Sequence, residues 1–131
     1  MRKVFLCALT AMLLASVAAD AHHSYAATYD TSKEIKLVGK LMQFSFKNPH
    51  TYVTVQAADA KGVVQRWSIE WAGSSQLGTA GITSETLKVG DEVTIIGRPS
   101  RVPGEFKALM VNLKRANPEF SWGTKPGDVV D

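Results

Sequence analysis

Between residues 34 and 115 apolar and polar residues alternate with a period of two in one run after another, the pattern of half-buried β-strands. In "EIKLVGKLMQFSF", Glu34 to Phe46, the residues Ile35, Leu37 and Leu41 share one phase while Met42, Phe44 and Phe46 share the other. A phase slip after Gly39 predicts a bulge in a long, bent first strand. "NPH", Asn48 to His50, makes a turn, because proline lacks an N–H and restricts the residue before it. "TYVTVQA" sets Val53, Val55 and Ala57 against Tyr52, Thr54 and Gln56, and Asp59, Lys61 and Gly62 form a hairpin loop. "VVQRWSIEW" then places Val63, Trp67, Ile69 and Trp71 on one face and Arg66, Ser68 and Glu70 on the other.

The β pattern breaks once. Ser74 to Ala80 predicts a short helix capped by Ser74 or Ser75, and Thr83 to Leu87 a further turn. Strands resume over Glu92 to Arg98 and Glu105 to Arg115. Five strands with one short helix between the third and fourth predict an all-β fold, a five-stranded OB-like barrel. A six-strand lipocalin-like meander needs a longer chain. Val53, Val55, Trp67, Ile69, Val93, Ile95, Leu109 and Val111 are the expected core.

The N-terminus carries a different pattern. Arg2 and Lys3 precede Val4 to Ala19, sixteen residues broken only by Thr10 and Ser16 and ending in small side chains. That run falls short of the about twenty residues of a membrane span, and reads as a secretory signal peptide. Val17-Ala18-Ala19 would leave Asp20 first, and Ala19-Asp20-Ala21 would leave His22 first. Cys7 lies inside the apolar run, away from any lipid-attachment position. The expected organisation is a signal peptide over 1–21, a barrel domain over 22–115 and a flexible tail over 116–131. The expected location is periplasmic or secreted, with no membrane span in the mature chain.

Export alters the composition. Cleavage after Ala21 removes Arg2, Lys3 and Asp20, so the formal net charge of +3 falls by one. The basic precursor therefore gives little support for nucleic-acid binding, and no nucleic-acid partner is expected. The chain's one cysteine leaves with the leader, so packing must hold the domain together without disulfides.

"AHHSYAATYD" at 21–30, "NPH" at 48–50, "WSIEWAGSSQL" at 67–77 and "LKVGDEVTIIGRP" at 87–99 together carry a resemblance. Over residues 21–114 the chain resembles the family of small exported bacterial proteins designated domain of unknown function 6152. Its members open with His-His-Ser-Phe after the signal, then carry an Asn-Pro-His turn, a Trp-x-x-Glu strand and a Leu-x-x-Gly-Asp-x-Val strand entry. Tyr25 stands where phenylalanine is usual, and Trp71 where a smaller residue is. The resemblance implies no activity, so chemistry must come from the residues.

The three histidines, His22, His23 and His50, all lie in these motifs. Cleavage after Ala21 gives His22 a free α-amine beside its own imidazole. Amine and ring can chelate one copper ion, with His50 opposite as a second imidazole, a histidine brace. Cleavage after Ala19 gives Asp20-Ala21-His22, whose amine, two amides and imidazole enclose Cu(II) or Ni(II) in a plane. Both favour copper, which tops the divalent affinity order and suits nitrogen donors, whereas zinc prefers a tetrahedral set. Against this stands a bland reading, a solvated terminus with His50 bonded to backbone in its turn.

Other groups point less far. Trp67 and Trp71 read as core, and Glu70 as a solvent-facing carboxylate or the acceptor for a histidine N–H. Lys33, Lys36, Lys40 and Lys47 read as a solvated face. Ser24 has no acid or oxyanion device around it, and no carboxylate pair is spaced for acid–base work. Three functions stay open. The first is a non-catalytic exported module that binds a metal ion or small ligand, with Cu(II) at His22, His23 and His50. The second is an interaction module for a peptide or envelope protein, its histidine segment serving as a structural strap. The third is a histidine-brace copper oxidoreductase.

Overall fold

The computed structural model describes residues 25–123. The expected signal peptide over 1–21, His22 and His23 lie outside the described residues. A helical turn at 25–28 leads into β1 (Ile35–Ser45), β2 (Thr51–Ala58), β3 (Val64–Trp71), α1 (Ser74–Thr79), β4 (Glu92–Pro99), β5 (Lys107–Arg115) and β6 (Phe120–Trp122). The strand order is β3-β2-β1-β4-β5-β6, and a parallel pairing of β3 with β5 through Ile69 and Ala108 closes the first five into a barrel. This is the expected OB-like barrel with its one short helix between β3 and β4. Among the described residues no helix is long and apolar enough to cross a membrane.

The long first strand serves two neighbours. Its first half pairs with β4 from Ile35 to Lys40, and its second half pairs with β2 from Gly39 to Ser45. Both partners flank Gly39, where a Cβ would stand 1.9 Å from the backbone oxygen of Gln56. The glycine permits that close approach. The phase slip itself falls at Met42, the extra residue between the Leu41–Val55 and Gln43–Thr54 pairs. Leu37 and Leu41 point inward before the bulge, and Phe44 and Phe46 pack against the core after it.

A second bulge corrects the expected core. The β4–β5 register runs from Ile96–Asn112 to Gly97–Met110, so Val111 is the extra residue. Ala108 and Met110 are buried on one side of it and Leu113 on the other, while Leu109 and Val111 are only half-buried. The other six expected core residues are buried. Leu77 of α1 joins Ile82 and Leu87 in the same core, so the β3–β4 connection contributes to the packing.

Two further expectations change. Within the segment expected to be a flexible tail, Phe120–Trp122 adds β6 to the sheet, pairing Trp122 to Leu113 and Phe120 to Arg115, while residues 124–131 lie outside the described residues. The cap of α1 is Gly73 and not a serine, and no side chain of its own caps it. Asn48 replaces that cap from the other loop, as described next.

Candidate functional site

His50 is held where it is by the contact between two loops. The Ser75 N–H donates to Asn48 Oδ1 at 3.1 Å, and Asn48 Nδ2 donates to Ser75 Oγ at 2.7 Å. Asn48 thereby satisfies one of the N–H groups that a helix start leaves open. Ser74 N–H donates to Lys47 O, and Thr51 N–H donates to Ala72 O, each at 3.1 Å. A Cβ on Gly73 would lie 2.6 Å from both Asn48 Oδ1 and Pro49 O, so the Asn-Pro-His loop lies directly on that glycine. "NPH" and "AGSS" are fastened to each other.

The N-terminal segment is fastened to the same place. Arg101 Nε donates to Ala26 O at 2.7 Å, Arg101 N–H to Thr28 O at 2.9 Å, and Asp30 N–H to Pro99 O at 2.8 Å. These bonds lay residues 25–30 across the barrel, with Tyr29 buried and bridged to Ser100. The Tyr29 hydroxyl donates to Glu70 Oε2 at 2.5 Å. Glu70 Oε1 stands 3.1 Å from His50 Nδ1, and the Tyr25 oxygen is 2.8 Å from the same nitrogen. Tyr25, His50 and Glu70 belong to three of the four sequence motifs, and they meet.

Two oxygens compete for one ring nitrogen, and electrostatics decides which atom carries the proton. A carboxylate 3.1 Å from a bare nitrogen lone pair would be repelled, so the hydrogen sits on Nδ1, between Glu70 and Tyr25. In that tautomer Nε2 is the ring's bare donor. Fixing the tautomer through a carboxylate is how metal-ligating histidines are oriented.

The chain's three tyrosines surround Glu70. Tyr52 lies opposite it in the β2–β3 register. Burial first, and then the Glu70 charge, raise Tyr25 and Tyr52 above the ordinary phenol range. Tyr29 is raised furthest, by burial, its bond to Glu70 and that same charge. The three stay phenols at neutral pH. Glu70→Leu would strand the Tyr29 hydroxyl and is expected to cost about 1–3 kcal/mol, whereas Glu70→Gln keeps an acceptor there and should cost less. Thermal melts of the two variants check this, and equal melting would remove Glu70 from the account.

Beside His50 opens a cleft of about 400 Å³, walled by Tyr25, Pro49, Trp71, Gln76, Met110 and Trp122 among others. Trp71 and Trp122 meet edge to face with ring centres 5.0 Å apart. Trp67 and Trp71 are both buried as expected, but Trp71 is also a cleft wall. Of the expected metal-ligating residues, His50 is described and His22 and His23 lie outside the described residues. Among those described, no three of His, Cys, Asp and Glu cluster for a metal. Tyr25, Tyr29, Met110 and Trp122 were not singled out by the sequence. Tyr25 had a signal in its place beside the histidines, and Trp122 in its ring two residues after Phe120.

A sequence model of the family of unknown function DUF6152 matches residues 11–109. The chain belongs to that family. No curated protein matches this DUF6152 member. Similar solved structures include two crystal forms of the mitochondrial single-stranded DNA-binding protein Rim1 from S. cerevisiae. One is 10% identical with a TM-score of 0.45, covering 63% of this chain and 92% of that one. The other is 11% identical with a TM-score of 0.47, covering 63% and 91%.

One expectation is corrected by this comparison. The exclusion of a nucleic-acid partner does not stand, since the similar structures are named for single-stranded DNA binding. Net charge sums the whole surface while a binding face depends on local cations and aromatic rings, so it does not by itself exclude such a partner. At such identity the likeness concerns the fold alone and assigns this chain no ligand.

Proposed function

We propose that this is an exported, non-catalytic binding module that holds Cu(II) between its processed N-terminus and His50. The observation that carries the reading is the anchoring of Tyr25 at His50 Nδ1, 2.8 Å away. Tyr25 is the third residue after His22, and three residues span at most about 11 Å. Counted from the Tyr25 backbone, that length allows the α-amine and His22 ring of a chain cut after Ala21 to come to His50. His50 supports the reading by its tautomer, with Nδ1 engaged and Nε2 left as a donor toward metal. Glu70 adds one negative charge behind the ring, which a bound cation would partly offset. The α-amine, His22 and His50 would hold the ion, and His23 is the alternative imidazole.

Three proteins test it, namely the chain beginning at His22, the same chain acetylated at its amine, and the His50→Ala variant. The first is expected to bind one Cu(II), more weakly as pH falls below the α-amine range of about 7.7–8.0, because the amine must lose its proton first. Acetylation or His50→Ala should each weaken binding by at least about tenfold. Equal affinity in all three would overturn the reading.

The bonds from Arg101, Pro99 and Glu70 to residues 26–30 favour a second reading, a purely structural strap. That reading expects His50→Ala to lower the melting temperature in metal-free buffer and to leave Cu(II) affinity as it was.

A further inference from the structure

The cleft beside His50 carries a second set of donors that the Cu(II) reading does not use. Met110 is 7% exposed on β5, and with Trp122 it lines the cleft that His50 lines. Met1 and Met12 fall in the leader segment and Met42 sits on the β1 bulge, so Met110 is the thioether at this place. Thioether sulfur is a soft donor that selects monovalent copper over harder cations, and imidazole serves both. An indole face attracts a desolvated cation through its ring quadrupole. Trp71 has its N–H buried without a partner, and it stands edge to face against Trp122. Trp122 is the more exposed of the two and is the ring open to an ion.

The walls also discriminate by charge. The Born cost of taking an ion out of water scales with the square of its charge, so a divalent ion suffers about four times the penalty of a monovalent one. The cleft's apolar walls, Met110, Leu109, Pro49 and two indoles, return little of that cost, and its polar walls besides His50, Tyr25 and Gln76, carry no formal charge to offset a second positive one. We infer that this cleft is a site for a soft monovalent coinage-metal cation, Cu(I) or Ag(I), held by His50 Nε2 and Met110 Sδ against the Trp122 ring. The inference goes beyond the Cu(II) reading, since neither the α-amine nor His22 takes part. His50 is the residue common to both.

Silver nitrate in chloride-free buffer is the probe, because Ag(I) is redox-inert. It is titrated into the acetylated chain beginning at His22, whose blocked amine removes the Cu(II) chelate. One equivalent of Ag(I) is expected to quench tryptophan fluorescence, and Trp122→Phe should remove most of the quenching. Met110→Leu conserves core volume. It should weaken Ag(I) by at least about tenfold, the lower end of what a ligand's supporting partner is worth. The same change should leave Cu(II) binding to the unblocked chain unaltered. Met42→Leu is the control and should bind Ag(I) as the parent does. Undiminished Ag(I) affinity in Met110→Leu, or binding that leaves indole fluorescence untouched, overturns the site. Absence of any Ag(I) response in the parent chain, with Cu(II) binding present, removes this inference alone, and the converse removes only the Cu(II) reading.

Discussion

Trp67→Ala is expected to destabilise the domain by about 3–5 kcal/mol while leaving metal binding intact below the melting transition. Trp67 sits on β3 opposite Val55, 8% exposed, with its Nε1 donating to Ala57 O at 3.2 Å. Its ring meets Phe106 edge to face at 5.2 Å. Truncation removes the ring's burial, leaves a cavity between close-paired strands and strips the Ala57 carbonyl of that donor. The barrel cannot collapse to fill the space, because β3 is clamped by β2 on one side and β5 on the other. Trp67 is absent from the cleft beside His50, so Cu(II) and Ag(I) affinities should be those of the parent. Urea unfolding followed by far-UV circular dichroism measures the loss. An unchanged midpoint together with lost metal binding would move Trp67 out of the core and into a site.

The same ring shows what the sequence made legible. Strands β2, β3 and β4 alternate cleanly, and their inward residues follow from the period of two. β5 does not, because Ala108 to Val111 is an unbroken apolar run in which either phase satisfies the pattern. The bulge at Val111 then switches phase midway, so Ala108 and Met110 face inward on one side and Leu113 and Arg115 on the other. β6 is three residues long, too short for a period, and its one signal was the pair of rings at Phe120 and Trp122.

The site divides in the same way. His50 and Glu70 were legible because each belongs to a motif and each is a residue type whose burial demands a partner. Tyr29 and Met110 were not, since a tyrosine in a loop and a methionine in a strand are ordinary. What brings them to His50 is the path of residues 25–30 across the barrel and the closure of β3 on β5. Both are long-range contacts that no local period encodes.

Asp91→Ala should cost about 3–5 kcal/mol at neutral pH, the range for removing one partner of a buried ion pair. Arg115 is 8% exposed, and its Nη1 donates to Asp91 Oδ2 at 2.6 Å and to Thr86 O at 2.8 Å. Its Nε donates to Pro118 O at 2.6 Å. Asp91 also accepts the Lys88 N–H at 2.9 Å, closing the turn into β4. Alanine would leave the guanidinium buried with its carbonyl partners but no counter-charge. The pH dependence follows from the same contacts. Burial alone would raise the Asp91 carboxyl, but the Lys88 N–H and the Arg115 bond and charge outweigh it and hold it below the usual range. A carboxylate depressed in the folded state stabilises fully above its unfolded pKa of about 3.9, and that stabilisation is lost as pH falls through the folded value. Asp91→Asn keeps both acceptor contacts without the charge, so its stability should fall less steeply than the parent's below about pH 4. Asp30, Asp59 and Glu105 are depressed too, and their contribution keeps some acid slope in the variant. Urea midpoints from pH 2 to 7 separate the effects. A cost under about 1 kcal/mol for Asp91→Ala at pH 7 would reduce the pair to an exposed surface bridge. Arg115 would then be held by Thr86 and Pro118 alone.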